Sequence, residues 1–251
     1  MSTVIATSVL PDSTANDTLT IGATGDSLAI SGDSLNLNTL QDAGGNTIFV
    51  SDGSGSITSQ GFPGALTHIL SQTASNSTSI SFTSGIDSTY DVYIFKFINI
   101  HPDTDNVDFN FNGSIDGGSN YNATKTTTQF RVYHNEDDSG TPALAYNPGG
   151  DLAQSTGDQR FIGGASGGGS DTDASVSIIM HLFNPSSTTY VKHFYMDAQG
   201  VKTGPSASVQ TSSTYFTAGY FNTTSAINAL IFRCSSGTFD GTIAMYGISK
   251  S

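Results

Sequence analysis

The chain carries one glutamate, Glu136, against twenty aspartates, and that imbalance leaves little material for helices. Glu, Lys, Arg and Ala sustain helix interiors, whereas Asp, Asn, Ser, Thr and Gly bond to nearby backbone and collect at turns and caps. Charged residues make up 12% of the 251, about half the usual share, so Ser, Thr, Asn and Gly supply most of the polar surface. The apolar fraction of 36% still suffices for a core. Charge-driven disorder and long coiled coils are both excluded. The expected fold class is all-β.

The net charge of −13 argues against nucleic acid as a partner, because such binding needs Lys and Arg to neutralise phosphates. An anionic membrane surface is disfavoured for the same reason. No apolar run approaches the length of a membrane-spanning helix, so no insertion is expected. Residues 1–10, MSTVIATSVL, lack a basic start and a long apolar stretch, so no secretory signal is read there. Cys234 is the single cysteine. It allows no intrachain disulfide, and its apolar surroundings predict a buried, inert thiol.

Charge and periodicity divide the chain into a segment over 1–60, a joint over 61–77 and a domain over 78–251. No Lys or Arg precedes Lys96, while six Asp fall within 1–60. That first segment repeats a short pattern at Asp17–Ile21, Asp26–Ile30 and Asp33–Leu37, with starts 9 and 7 residues apart. Two aliphatics alternate with small polar residues inside each copy, the signature of a strand with one buried face. Such ribbons hold too few apolar side chains to fold alone, and a second copy of the chain offers the missing face. The expectation is therefore a β-repeat shaft or attachment segment within a homo-oligomer, a trimer. Gly61–Gly64 reads as a turn cluster, residues 65–70 as one helical turn or a strand, and residues 71–78 are nearly all small and polar.

From Thr78 onward the pattern changes to that of a substantial β domain. Val176, Ile178, Met180 and Leu182 alternate over four positions, and residues 90–100 (YDVYIFKFINI) read as a long strand buried on both faces. About nine strands are expected, separated by Gly, Asn, Ser or Pro clusters. Consecutive strands without intervening helices predict an antiparallel, jelly-roll-like sandwich. Three long connections, 112–126, 135–159 and 163–173, are candidates for functional or interfacial loops.

Catalytic patterns are weak. Gly164–Gly168 matches G-x-S-x-G around Ser166, but a nucleophile elbow needs a following helix and the residues here are Gly and Ser. The five histidines, His68, His101, His134, His181 and His193, show no zinc spacing, although His181 and His193 could be cross-strand neighbours. Asp103, Asp105 and Asp108 gather hard oxygen ligands of the kind Ca²⁺ takes, yet fail the EF-hand pattern because Val107 occupies a ligand position. Solvated turns are the expected state of this cluster and of Asn135–Asp138. No carboxylate pair is singled out for glycoside hydrolysis. No catalytic or cofactor-binding residues are assigned. If the surface binds glycan, the long loops are the expected place, with Tyr121, Tyr133 and Tyr146 as contacts.

Several segments carry a resemblance: Ile86–Tyr93 (IDSTYDVY), Phe111–Tyr121 (FNGSIDGGSNY), Lys125–Arg131 (KTTTQFR), Leu182–Val191 (LFNPSSTTYV), Ala218–Ile227 (AGYFNTTSAI) and Gly241–Ile248 (GTIAMYGI). Over residues 80–248 they resemble the C-terminal β domain of virion structural proteins of tailed phages, especially phages of marine cyanobacteria. The leader repeats resemble the shaft or attachment region of the same proteins. The resemblance implies a tail-fibre, head-fibre or capsid-decoration role on the virion surface, contacts with other virion proteins through the N-terminal segment, and no enzymatic activity. A fibre-borne glycan depolymerase is the competing reading from a different class. The motifs are strands and turns, so no site residues follow from them.

Overall fold

The computed structural model describes residues 39–41, 47–51, 57–59, 66–163, 170, 172–203 and 210–248. Two units are separated between Gln60 and Gly61. In the first, strands β1 (Thr39–Gln41), β2 (Thr47–Ser51) and β3 (Ile57–Ser59) form an antiparallel meander. The Asp-led repeats at 17–37 and the trimeric shaft inferred from them lie outside the described residues.

The second unit contains β4 (Leu66–Ser77), β5 (Ile80–Phe82), β6 (Val92–Pro102), β7 (Phe109–Ser114), β8 (Lys125–Asn135), β9 (Ala143–Tyr146), β10 (Gln159–Ile162), β11 (Val176–Phe183), β12 (Lys192–Thr203), β13 (Gln210–Phe221), β14 (Ala229–Cys234) and β15 (Phe239–Ile248). One 3₁₀ turn, Pro148–Gly150, interrupts the β structure. Eight strands pair in the order β4-β15-β6-β11-β12-β13-β8-β9, and four in the order β10-β7-β14-β5. Every pairing is antiparallel. The all-β antiparallel sandwich expected from the alternation is present, with sheets of unequal size.

The core forms where the inward side chains of the two sheets meet. Phe97 of β6 packs its ring 4.8 Å from that of Phe232 on β14, 5.1 Å from Phe161 on β10 and 6.0 Å from Phe109 on β7. Phe82 and Phe95 extend the cluster toward one end, and Phe111, Phe194 and Phe221 toward the other. Aromatic edges meeting faces in this way add specificity to the burial itself. Along β11, Val176, Ile178, Met180 and Leu182 are buried while Ser177 and Ile179 are exposed. In β6 a bulge inserts one extra residue at Ile98-Asn99, where Asn99 takes a φ of 51° and Ile100 is returned to the core.

Two expectations are corrected. Residues 66–77 are not a joint: they form β4, a twelve-residue edge strand paired along β15 from Leu66 opposite Ile248 to Ser77 opposite Phe239. Its polar composition suits an edge, which has one neighbour and little apolar cover to attract. The expected loop over 135–159 contains β9, and the region also supplies β10, so the described residues of this unit hold twelve strands rather than nine.

Candidate functional site

The eight-stranded sheet has a second face, and its central and β9-ward strands carry rings. Alternation places the outward partners of the core residues there. In β11 these are Ile179, His181 and Phe183; in β12 they are His193, Tyr195 and Asp197; in β13 Phe216 and Tyr220; in β8 Phe130 and Val132. His181 lies opposite Tyr195 in the register, with ring centroids 4.6 Å apart and planes 14° from parallel. Tyr195 also meets Phe183 at 5.8 Å and Phe216 at 6.1 Å. Phe216 stacks on its register partner Phe130 at 5.3 Å, and Phe130 is paired with Tyr146 on the edge strand. An aromatic band therefore crosses five strands.

Two shallow grooves, each of about 460 Å³, lie on this face. One is lined by Lys96, Ile98, Ile179, Asp197, Gln199 and Thr214. The other lies among Thr126, Thr128, Phe183, His193, Tyr195 and Tyr220. Desolvation holds the His181 imidazole below its ordinary pKa, which favours the neutral ring that stacks on Tyr195. On the band's other flank the Lys96 ammonium sits 5.2 Å from the Tyr246 ring centroid. The two grooves offer flat rings, the Lys96 ammonium and the Asp197 carboxylate. Such a surface can stack on planar or sugar-like faces and form hydrogen bonds at its rim.

The residues singled out from sequence do not converge. Tyr146 is 64% exposed, is paired with Phe130 on the aromatic face and bonds the Asp151 carboxylate through its hydroxyl. Tyr133, three residues from Phe130 on β8, points to the opposite face, where the Arg131 guanidinium lies 5.2 Å from its ring centroid. Tyr121 is half-buried in the connection between β7 and β8. Of the three, only Tyr146 joins the band.

Asp103, Asp105 and Asp108 each serve a different partner. Asp103 accepts from the Thr238 amide at 2.9 Å and hydroxyl at 2.8 Å, bracing the turn before β15. Asp105 accepts from the Ser170 amide and hydroxyl. Asp108 lies 3.5 Å from the Arg160 guanidinium. Hydrogen bonds to their charged forms hold the Asp103 and Asp105 carboxyls below the usual range. No three His, Cys, Asp or Glu side chains are grouped to hold a metal among the described residues. Ser166 and its glycines lie outside the described residues.

His181 and His193 lie on adjacent strands, but each faces a tyrosine, Tyr195 and Tyr220 respectively. The aromatic band escaped the sequence reading because its rings alternate with core residues in strands already assigned to a single buried face. The available signal was bulky side chains at both parities with rings on the outward one, as in His181-Leu182-Phe183 and His193-Phe194-Tyr195. No family model, curated protein or solved structure matches the chain.

Proposed function

We propose that the chain is a non-enzymatic structural protein of a phage particle. Its first 60 residues anchor and trimerise it, and its β-sandwich is turned outward to contact glycan on the host surface. The observation that carries the reading is the aromatic band on the open face of the eight-stranded sheet. A continuous run of rings that no other described element of the unit covers suits adhesion, and neither groove presents two opposed carboxylates or a nucleophile beside a base. The sequence resemblance over 80–248 supports the virion assignment, and the alternating aliphatics of 1–60 support symmetric association.

The test uses the full chain and purified host-envelope polysaccharide. Wild type is expected to bind, and the Tyr195→Ser, Phe216→Ser double variant to bind at least about tenfold more weakly, as loss of central aromatic anchors does, with unchanged thermal stability. Equal binding by the two proteins would refute adhesion through this face. Release of reducing sugar would replace the reading with a depolymerase. Sedimentation of the full chain as a monomer at micromolar concentration would remove the trimer, and absence of the chain from purified particles would remove the virion assignment.

A further inference from the structure

A buried lysine lies against an asparagine where the two sheets meet. Lys125, the first residue of β8, is fully buried, and Asn112 of β7 is 1% exposed. The Lys125 Nζ donates to Asn112 Oδ1 at 2.5 Å and to the Ala123 carbonyl at 2.8 Å, and it sits 5.6 Å from the Phe221 ring centroid. With a C=O bond of about 1.23 Å, Nζ is no more than about 3.7 Å from the Asn112 Cγ. That is close to the roughly 3–3.5 Å of a near-attack arrangement.

The amide is held and polarised from several sides. Its Oδ1 also accepts from the Gly113 amide at 2.9 Å, and its Nδ2 donates to the Thr156 carbonyl and to Asp158 Oδ1, each at 3.0 Å. Asp158 is in turn fixed by Arg233, which donates through Nε at 2.8 Å and Nη2 at 3.0 Å. Gly113 is required here: a Cβ at that position would lie 2.6 Å from the Phe221 ring that covers the lysine. A nucleophile, a carbonyl carbon and a donor to the carbonyl oxygen share a buried site, with a part-exposed carboxylate at the leaving nitrogen.

We propose that Lys125 and Asn112 join through an autocatalytic isopeptide bond that staples β7 of the small sheet to β8 of the large one. The ammonium first gives one proton to solvent. The neutral Nζ then attacks Cγ, and charge developing on Oδ1 is met by the Gly113 N–H. One proton passes from Nζ through the Asp158 carboxylate to Nδ2, the Cγ–Nδ2 bond breaks and ammonia leaves. The new amide keeps one N–H for the Ala123 carbonyl, and a buried ammonium is eliminated. Burial pushes the Lys125 ammonium down to about 8, against the opposing charge of Asp158, so a usable fraction of amine exists near neutral pH.

The experiment is the intact mass of the full chain held at pH 8 and measured after denaturation. The expected mass is that of the sequence less one ammonia, and digestion should yield a branched peptide joining the Asn112 and Lys125 segments. Asn112→Ala and Lys125→Arg are each expected to show their full sequence mass. Asp158→Asn should slow the bond by about a hundredfold, as loss of a positioned proton carrier does. A wild-type chain at full mass would overturn the proposal and leave Lys125 a structural ammonium. Ammonia loss with only linear peptides would overturn it equally. A wild-type rate in Asp158→Asn would remove the carboxylate from the mechanism.

Discussion

Replacing Phe97 by Ala separates the contribution of the sheet–sheet contact from that of strand β6 itself, because the neighbouring Ile98 provides an internal control. Phe97 is 2% exposed and touches rings from three of the four strands in the small sheet, whereas Ile98 is 50% exposed on the opposite face. Removing the ring leaves a cavity between sheets that cannot close without moving both, and Phe→Ala changes of this kind cost about 3–5 kcal/mol. In a unit of this size each kcal/mol lowers Tm by about 2–4 °C, so Phe97→Ala should melt about 6–20 °C below wild type. Ile98→Ala loses only half-buried surface, about 1 kcal/mol or less, and should melt within a few degrees of wild type. Calorimetry or near-ultraviolet circular dichroism of the full chain provides the comparison. Equal losses from the two variants would mean that the two faces of β6 are equally solvated, and the sandwich would be wrong.

Cys234 is 6% exposed and burial pushes its thiol up to about 12, so a thiol reagent at pH 8 should leave the folded chain unmodified and label one site after denaturation; rapid labelling of native protein would contradict the burial. Asp116 accepts from Ser114 and from the Asn120 side chain and amide, which hold its carboxyl down to about 2 from an ordinary 3.8. A depressed carboxyl contributes its hold in full above the ordinary value and loses it as pH falls through the depressed one. Protection of the Asn120 amide, followed by hydrogen exchange, should therefore persist at pH 3 and fade near pH 2, and loss near pH 4 would contradict the network. Gly247→Ala would place a Cβ 2.3 Å from the Tyr90 ring; the expected cost is about 1–3 kcal/mol, read as a lower urea midpoint, and an unchanged midpoint would show that Tyr90 is free to move.

Periodicity was most legible where one face of a strand is apolar throughout. β11 is the clear case: its four core residues sit at alternate positions and its bounds follow from them. The strands missing from the sequence reading lack that contrast. Along β4, His68–Ser77 are, apart from the buried Ala74, exposed or half-exposed edge residues with one hydrogen-bonded neighbour, so no apolar stripe marks them. Along β13 the apolar stripe is broken for another reason: its inward residues Thr211, Ser213 and Thr217 are buried but polar. Thr217 belongs to a seam where Gln129 Nε2 donates to its Oγ1 at 2.7 Å and Thr127 Oγ1 donates to Gln159 Oε1 at 2.6 Å, and hydrogen bonds there replace the apolar signal. The Lys125–Asn112 pair lay hidden in the same way, because Thr124–Thr128 reads as a solvated tract until β7 is laid beside it. For the tyrosines and the Asp103–Asp108 turn, residue chemistry named candidates without their placement: the backbone puts Tyr133 and Tyr146 on opposite faces and gives each carboxylate its own partner.

The pairing of β4 with β15 has a topological consequence. Leu66 and Ile248 are register partners, so the point where the path enters the sandwich and the point where it leaves lie one strand spacing apart, about 5 Å. A short linker bridging that gap, with new ends opened in the exposed turn at Asp116–Gly117, would thread the same two sheets in a different order. The fold is closed at its seam, and its beginning is, in geometric terms, interchangeable with that turn.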